Sequence, residues 1–259
     1  MATQSGMFDL TGKVALITGG NGGIGLGIAK GLAKQGAAVA IAARDEAKNA
    51  AALKELMAAG ATAFAVRCDV TDKASVKSAV DEAARKLGGL DIVVNNSGTS
   101  RRAPELVDLS QEDFEYVVDV NLNSLHRVSV AVFPHIKARG RGKVINIGSM
   151  MAIFGSPYAS AYSASKGGVV QYTKACAVAW AKHNIQVNCI MPGWVHTDMT
   201  AAFLKMYPER EKEISKRTPA GRWAHPDEMA GTAIFLASAA SDFVTGTAIP
   251  VDGGFSVSP

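Results

Sequence analysis

Seven short runs recur along the chain, at Val14–Thr18, Val39–Ala43, Ala63–Val66, Ile92–Asn95, Val144–Ile147, Ile185–Ile190 and Thr247–Val251. Most are rich in Val and Ile and lack interior charge, as strands covered on both faces do. Between them lie segments with helical apolar spacing: Ile24–Gln35, Ala47–Ala59, Ala74–Leu87, Gln111–Ala138, Tyr158–His183 and Pro226–Ser238. Alternation repeated this often predicts an α/β fold, a doubly wound, seven-stranded parallel sheet with helices on both faces. Hydrophobic residues at 48% supply its core, and 259 residues fit one domain over 1–259.

One stretch breaks the rhythm. Between Pro192 and about Arg222 the chain carries Pro208, Pro219 and Gly221 among Trp194, Met199, Phe203, Met206 and Tyr207. A long insert after a strand of an open sheet reads as a lid over a ligand crevice, here at about 192–222. The plainer alternative is a surface excursion packed on its own helices.

Several function classes are not expected. The net charge of +4 is spread along the chain, with no Lys/Arg run long enough to track nucleic acid. No uninterrupted apolar stretch reaches the roughly 18 residues of a membrane span. The start, MATQSGMFDLTGK, shows neither the basic nor the apolar region of a secretory signal. Cys68, Cys176 and Cys189 lie far apart, which favours a reducing, cytoplasmic setting. His126, His135, His183, His196 and His225 show no metal spacing, and His196 reads as a loop histidine.

The first predicted strand runs into Thr18-Gly19-Gly20-Asn21-Gly22-Gly23-Ile24-Gly25, and a helix follows at once. Strand, glycine turn and helix form the context of a dinucleotide site in a Rossmann fold. Glycines let the backbone approach a pyrophosphate, and the helix N-terminus favours its charge. Leu26, Gly27 and Ile28 exclude a P-loop, which needs Lys followed by Ser or Thr. The second strand ends Ala43-Arg44-Asp45. Ala43 stands where a ribose-binding acid is expected, and Arg44 suits a 2′-phosphate. NADP(H) is therefore favoured; Asp45 leaves NAD(H) open, and a solvated Arg44–Asp45 pair is the bland alternative.

Tyr162 and Lys166 lie four apart, on one face of a predicted helix. Ser149 ends the fifth predicted strand, where ligands of open α/β sheets bind, and Asn121 lies inside a long helix. With Thr18-Gly19…Gly23…Gly25, Asp69, Asn95-Asn96-Ser97-Gly98 and Pro192-Gly193…Thr197, these residues resemble the short-chain dehydrogenase/reductase family, in its compact single-domain branch. The motifs run in family order across nearly the whole chain; Ser97, where Ala is usual, is the one departure.

The resemblance implies catalytic roles for Asn121, Ser149, Tyr162 and Lys166. It implies a cofactor site of Gly19, Asn21, Gly22, Gly23, Ile24 and Gly25, with Arg44, Asp69 and Val70 toward the adenosine. Asn96, Gly98, Tyr162 and Lys166 then face the ribose, and Pro192, Gly193, Val195 and Thr197 the nicotinamide. Tyr162 is expected as proton donor or base. A Lys166 ammonium about 4 Å away, at an effective dielectric of ~20, would favour the phenolate by roughly 4 kcal/mol, before any desolvation cost opposes it. Ser149 is expected to orient the substrate oxygen, and the Asn121 backbone to anchor a water.

The segments Asn184–Asn188, Arg217–Trp223 and Val251–Gly254 resemble the gluconate 5-dehydrogenase-like subgroup. Arg101, next to Arg102, is a candidate for a substrate carboxylate. Against a sugar acid stands the apolar stretch that includes Met151 and Phe154. With Trp194, Met199 and Phe203 it favours a bulky or apolar ketone or secondary alcohol. A sugar-acid dehydrogenase and a 3-oxoacyl thioester reductase are the enzymatic alternatives, and an NADP(H)-sensing regulator the non-enzymatic one. The resemblance also implies a homotetramer.

Overall fold

The computed structural model describes residues 6–258. Its elements run β1 (Val14–Thr18), α1 (Gly23–Lys34), β2 (Ala38–Ala43), α2 (Glu46–Ala58), β3 (Ala63–Arg67), α3 (Lys73–Leu87) and β4 (Ile92–Asn95). There follow α4 (Gln111–Val118), α5 (Ser124–Ala138), β5 (Gly142–Ile147), α6 (Ser160–Trp180) and β6 (Ile185–Pro192). The chain closes with α7 (Asp198–Met206), α8 (Arg210–Arg217), α9 (Ala230–Ala237) and β7 (Ala248–Val251). The strands form one parallel sheet in the order β3-β2-β1-β4-β5-β6-β7. The seven expected strands and their doubly wound arrangement are present.

The pleat divides the core between two faces. Ala15 and Ile17 of β1 join Ile28 and Leu32 of α1, Leu56 of α2 and Leu236 of α9 on one side. Val14 and Leu16 join Val76 and Val80 of α3, Val132 and Ile136 of α5 and Cys176 of α6 on the other. Every β1 residue is buried. That is why these strands read as continuous apolar runs rather than alternating ones.

From β1 the chain winds outward to β3, then crosses back to lay β4 on the other side of β1. Strand order reverses there, and a crevice opens at the carboxyl ends of β1 and β4. The glycine turn leaves β1 at this point and Asn95–Gly98 leaves β4.

The expected continuous helix Gln111–Ala138 departs from plan in its middle. Residues Asp119–Asn123 form a π-helical turn between α4 and α5, with Asn121 buried inside it. Such turns bulge a helix by one residue and frequently mark functional sites. The 192–222 insert folds mainly as α7 and α8. Thr197 caps α7 in a capping box with Thr200, which sets where the insert leaves β6.

Candidate active site

Two cavities meet at the crevice. One, of about 580 Å³, runs along the glycine turn and the carboxyl ends of β1, β4 and β5. The other, of about 850 Å³, lies beneath α7 and α8. Ser149, Tyr162, Gly193, Met199 and Thr200 line both. The phenol and the serine hydroxyl therefore belong to side chains on the wall the two spaces share.

The first cavity is shaped by backbone. Gly19 and Gly23 hold φ of +63° and +49°, the left-handed region where a side chain is strained. A Cβ on Gly25 would come 2.3 Å from the Gly19 carbonyl oxygen and 2.5 Å from Asn96 Nδ2. Gly25 is thus a packing glycine that lets α1 close on the turn; it does not line the cavity, whereas Gly19, Asn21, Gly22, Gly23 and Ile24 do. Asn96 Nδ2 donates to the Thr18 and Gly19 carbonyls at 3.0 and 3.1 Å, tying β4 to the turn. Thr18 Oγ1 accepts from the Asn96 and Ser97 amides at 3.0 and 3.1 Å.

At one end stand Arg44, Asp45, Lys48, Asp69 and Val70. Asp45 is engaged as the N-cap of α2: its Oδ1 accepts from the Lys48 amide at 3.0 Å. Asp69 Oδ1 accepts from the Thr71 amide and hydroxyl at 3.0 and 2.7 Å. These bonds hold its carboxyl below the usual range, and Arg44 and Arg67 add to that. At the other end are Gly98, Lys166, Pro192, Gly193, Val195 and Thr197.

Tyr162 and Lys166 share the first turns of α6. Lys166 Nζ donates to the Ile147 carbonyl at 2.7 Å and lies 5.5 Å from the Tyr162 ring centroid. Burial pulls the Lys166 ammonium down to about 8. Burial pushes the Tyr162 phenol up, opposed by the neighbouring Ser149 hydroxyl and by the Arg102 charge. Desolvation is thus the largest influence on the phenol, and the Arg102 charge opposes it.

Asn121 lines neither cavity. Its Oδ1 accepts from the Thr99 amide at 2.8 Å, and its Nδ2 donates to the Thr99 carbonyl and Ser165 Oγ, both at 3.0 Å. Through the π turn it ties the segment after β4 to α6.

Of the substrate candidates, Met151, Phe154, Trp194, Met199 and Phe203 line the larger cavity. Arg101 does not. It pairs with Asp113 Oδ1 at 3.2 Å and lies over the Tyr116 ring, because neighbours in an extended segment point opposite ways. Arg102 enters the cavity instead, its guanidinium 4.3 Å from the Phe203 ring centroid. Burial lowers its pKa, and no carboxylate pairs with it among the described residues. Arg217 also lines the cavity, 4.2 Å from the Phe255 ring centroid, and Trp194 stacks on Phe203. Sequence reasoning missed Lys48 and Arg217 as lining residues, and it pointed to the Arg101-Arg102 pair without telling which of the two enters the cavity. Lys48 stands one helical turn after Arg44, which is a spacing signal; nothing marks Arg217 apart from other surface-helix arginines.

His196 lies against the rings of Trp223 and His225 and 3.7 Å from Glu211, outside both cavities. Among the described residues no cluster of three or more His, Cys, Asp or Glu could hold a metal ion. No helix among them is long and apolar enough to cross a membrane.

Residues 19–256 match a family model described as enoyl-(acyl carrier protein) reductase. The chain is 41% identical over 252 residues to gluconate 5-dehydrogenase of Gluconobacter oxydans, covering 97% of this chain and 98% of the relative. It is 41% identical over 256 residues to the 5-keto-D-gluconate 5-reductase of Escherichia coli K12, covering 97% and 98%. The crystal structure of a gluconate 5-dehydrogenase from Burkholderia cenocepacia, in complex with NADP and tartrate, superposes with a TM-score of 0.93 at 42% identity, covering 99% of this chain and 100% of that one.

Proposed function

Because this chain belongs to the short-chain dehydrogenase/reductase family of oxidoreductases, we propose that it interconverts a ketone and a secondary alcohol with NADP(H), on a substrate of the sugar-acid class. The observation that carries the reading is the place of Tyr162 and Ser149 on the wall between the two cavities.

The first cavity suits a dinucleotide. The left-handed Gly19 and Gly23 line it with backbone and leave room for a pyrophosphate against the turn, while Gly25 lets α1 close on that turn. Arg44 is free to take a 2′-phosphate, and Asp45 is committed to capping α2, which supports NADP(H) over NAD(H). Asp69 and Val70 would hold the adenine side, Asn96, Gly98 and Lys166 the ribose, and Pro192 to Thr197 the nicotinamide. When bound, the reduced nicotinamide supplies the hydride that reduces the carbonyl carbon.

The chain's own residues handle the oxygen and its proton. Tyr162, its pKa raised by burial, remains protonated and donates the phenol proton to the carbonyl oxygen. Ser149 hydrogen-bonds the same oxygen and polarises the carbonyl. In alcohol oxidation the roles reverse, and Arg102 and Lys166 stabilise the phenolate. Asn121 acts at one remove, fixing Thr99 and α6.

Arg102 supports the sugar-acid reading, since a substrate carboxylate would give this half-buried cation a partner. So do the relatives' names and the tartrate, a hydroxy-dicarboxylate, in the Burkholderia neighbour. A second reading, a bulky ketone, draws on the size of the cavity and its Trp194, Phe203 and Phe255 walls. Turnover of 5-ketogluconate, cyclic ketones and aryl ketones with NADPH and NADH is the test. Reduction of the keto acid alone fits the first reading, and ketone reduction without a carboxylate preference fits the second. NADPH binding with no turnover of any of them would indicate a cofactor sensor.

We further propose that residues 192–222 act as a lid within one domain, and that the protein is a cytoplasmic homotetramer. Exposed Val130 on α5 and Val178 on α6 fit subunit contacts, and the three free, buried cysteines fit a reducing compartment. Sedimentation at working concentration checks the assembly.

A further inference from the structure

At the adenosine end of the first cavity, Lys48 joins Arg44 in the lining. Its ammonium is held 2.7 Å from Asp198 Oδ2. The two residues are 150 positions apart in sequence. Lys48 belongs to the first turn of α2, and Asp198 is the first residue of α7. Among the described residues, this is the one ion pair joining the 192–222 insert to the chain before β6. Asp198 also lines the cavity, so the pair stands at its edge with both partners accessible from it.

The energetics make the pair exchangeable. Both side chains are well exposed, at 56% and 90%, and such pairs contribute about 0–1 kcal/mol. A cofactor phosphate, carrying up to two negative charges and fixed beside Arg44, is a stronger partner for an ammonium than one solvated carboxylate. The adenosine of NAD(H), with a 2′-hydroxyl there, offers no such charge.

We propose that Lys48 is a specificity-determining residue shared between two anions: the Asp198 carboxylate in the free protein and the 2′-phosphate of bound NADP(H). This rests on the reading of the first cavity as an NADP(H) site. Asp198 is then a built-in competitor. It lowers NADPH affinity without touching NADH, and NADPH alone releases the start of α7 from α2.

Dissociation constants for NADPH and NADH, measured by cofactor fluorescence on the wild type, Lys48→Met, Asp198→Asn and the double variant, test this. Lys48→Met keeps the aliphatic stem and is expected to weaken NADPH about tenfold while NADH changes less than twofold. Asp198→Asn is expected to tighten NADPH about two- to fivefold, and that gain should vanish in the Lys48→Met background. Equal weakening of both cofactors by Lys48→Met, or no effect on either, would overturn the proposal. So would an Asp198→Asn gain that persists without Lys48, since Asp198 would then act by repulsion at a distance. A wild type that binds NADPH no better than NADH, with Arg44→Ala silent, would instead remove the underlying cofactor assignment.

Discussion

The two cavities that share Tyr162 are built from different materials. The first is made by backbone: left-handed glycines, carbonyls held by Asn96 and amides held by Thr18. The second is made by long side chains, with Arg102 laid over Phe203 of the insert and Arg217 over Phe255 from the segment after β7. A backbone surface tolerates few substitutions, because close approach admits no Cβ. A side-chain surface can be refilled by many residues of similar volume and charge. One space therefore suits a cofactor common to a family, and the other a substrate peculiar to a member.

The largest expected effect lies on the shared wall. Tyr162→Phe should lower turnover by roughly 10²–10⁴-fold while leaving NADPH affinity within twofold, measured by steady-state kinetics beside cofactor titration. Retained activity would remove the phenol as the proton carrier. In the larger cavity, Arg102→Ala should raise KM for a keto acid by roughly 10- to 100-fold, the loss of a charge-assisted bond, and leave KM for an uncharged ketone nearly unchanged.

The wall also carries a stability signature. The Lys166 pKa in the folded protein, about 8, lies below its ordinary 10.5. Below pH 8 the folded state bears a buried charge at full cost. Between pH 8 and 10.5 the unfolded chain binds more protons, so this group's contribution makes stability rise with pH. Lys166→Met should therefore stabilise the ligand-free protein at pH 7 by about 1–3 kcal/mol, a gain that shrinks toward pH 10.5 in denaturant titrations. In the cofactor space, Arg44→Ala should weaken NADPH roughly tenfold more than NADH, the smallest of these effects.

The same contrast decides what the sequence made legible. Gly19, Gly23 and Gly25 could be read because backbone geometry fixes their spacing, and burial on both faces made β1, β2, β4, β5 and β6 visible as runs without interior breaks. Asp45 remained ambiguous between ribose ligand and helix cap, since both uses need a carboxylate at the end of β2. Arg101 and Arg102 could not be told apart, because one residue's shift along an extended segment reverses which side chain meets the cavity. The acidity of Tyr162 was legible only in part, for a related reason. The spacing to Lys166 was visible, but burial, which pushes the phenol the other way, depends on what the rest of the chain packs around it. Asn121 was marked as an odd polar residue in a helix, and the π turn that accommodates it has no comparable sequence mark.

That turn leaves α4 and α5 as two screws whose threads start at different angles. An α-helix advances about 100° per residue, so the additional residue in Asp119–Asn123 puts the apolar stripe of α5 out of phase with that of α4. The offset lets α4 lean on α6 while α5 faces α3. Removing one residue there would restore a uniform pitch and swing Val128, Val132 and Ile136 away from the sheet. Within this stretch, the phase slip that seats the buried Asn121 amide between Thr99 and Ser165 is also what keeps the following helix facing its core.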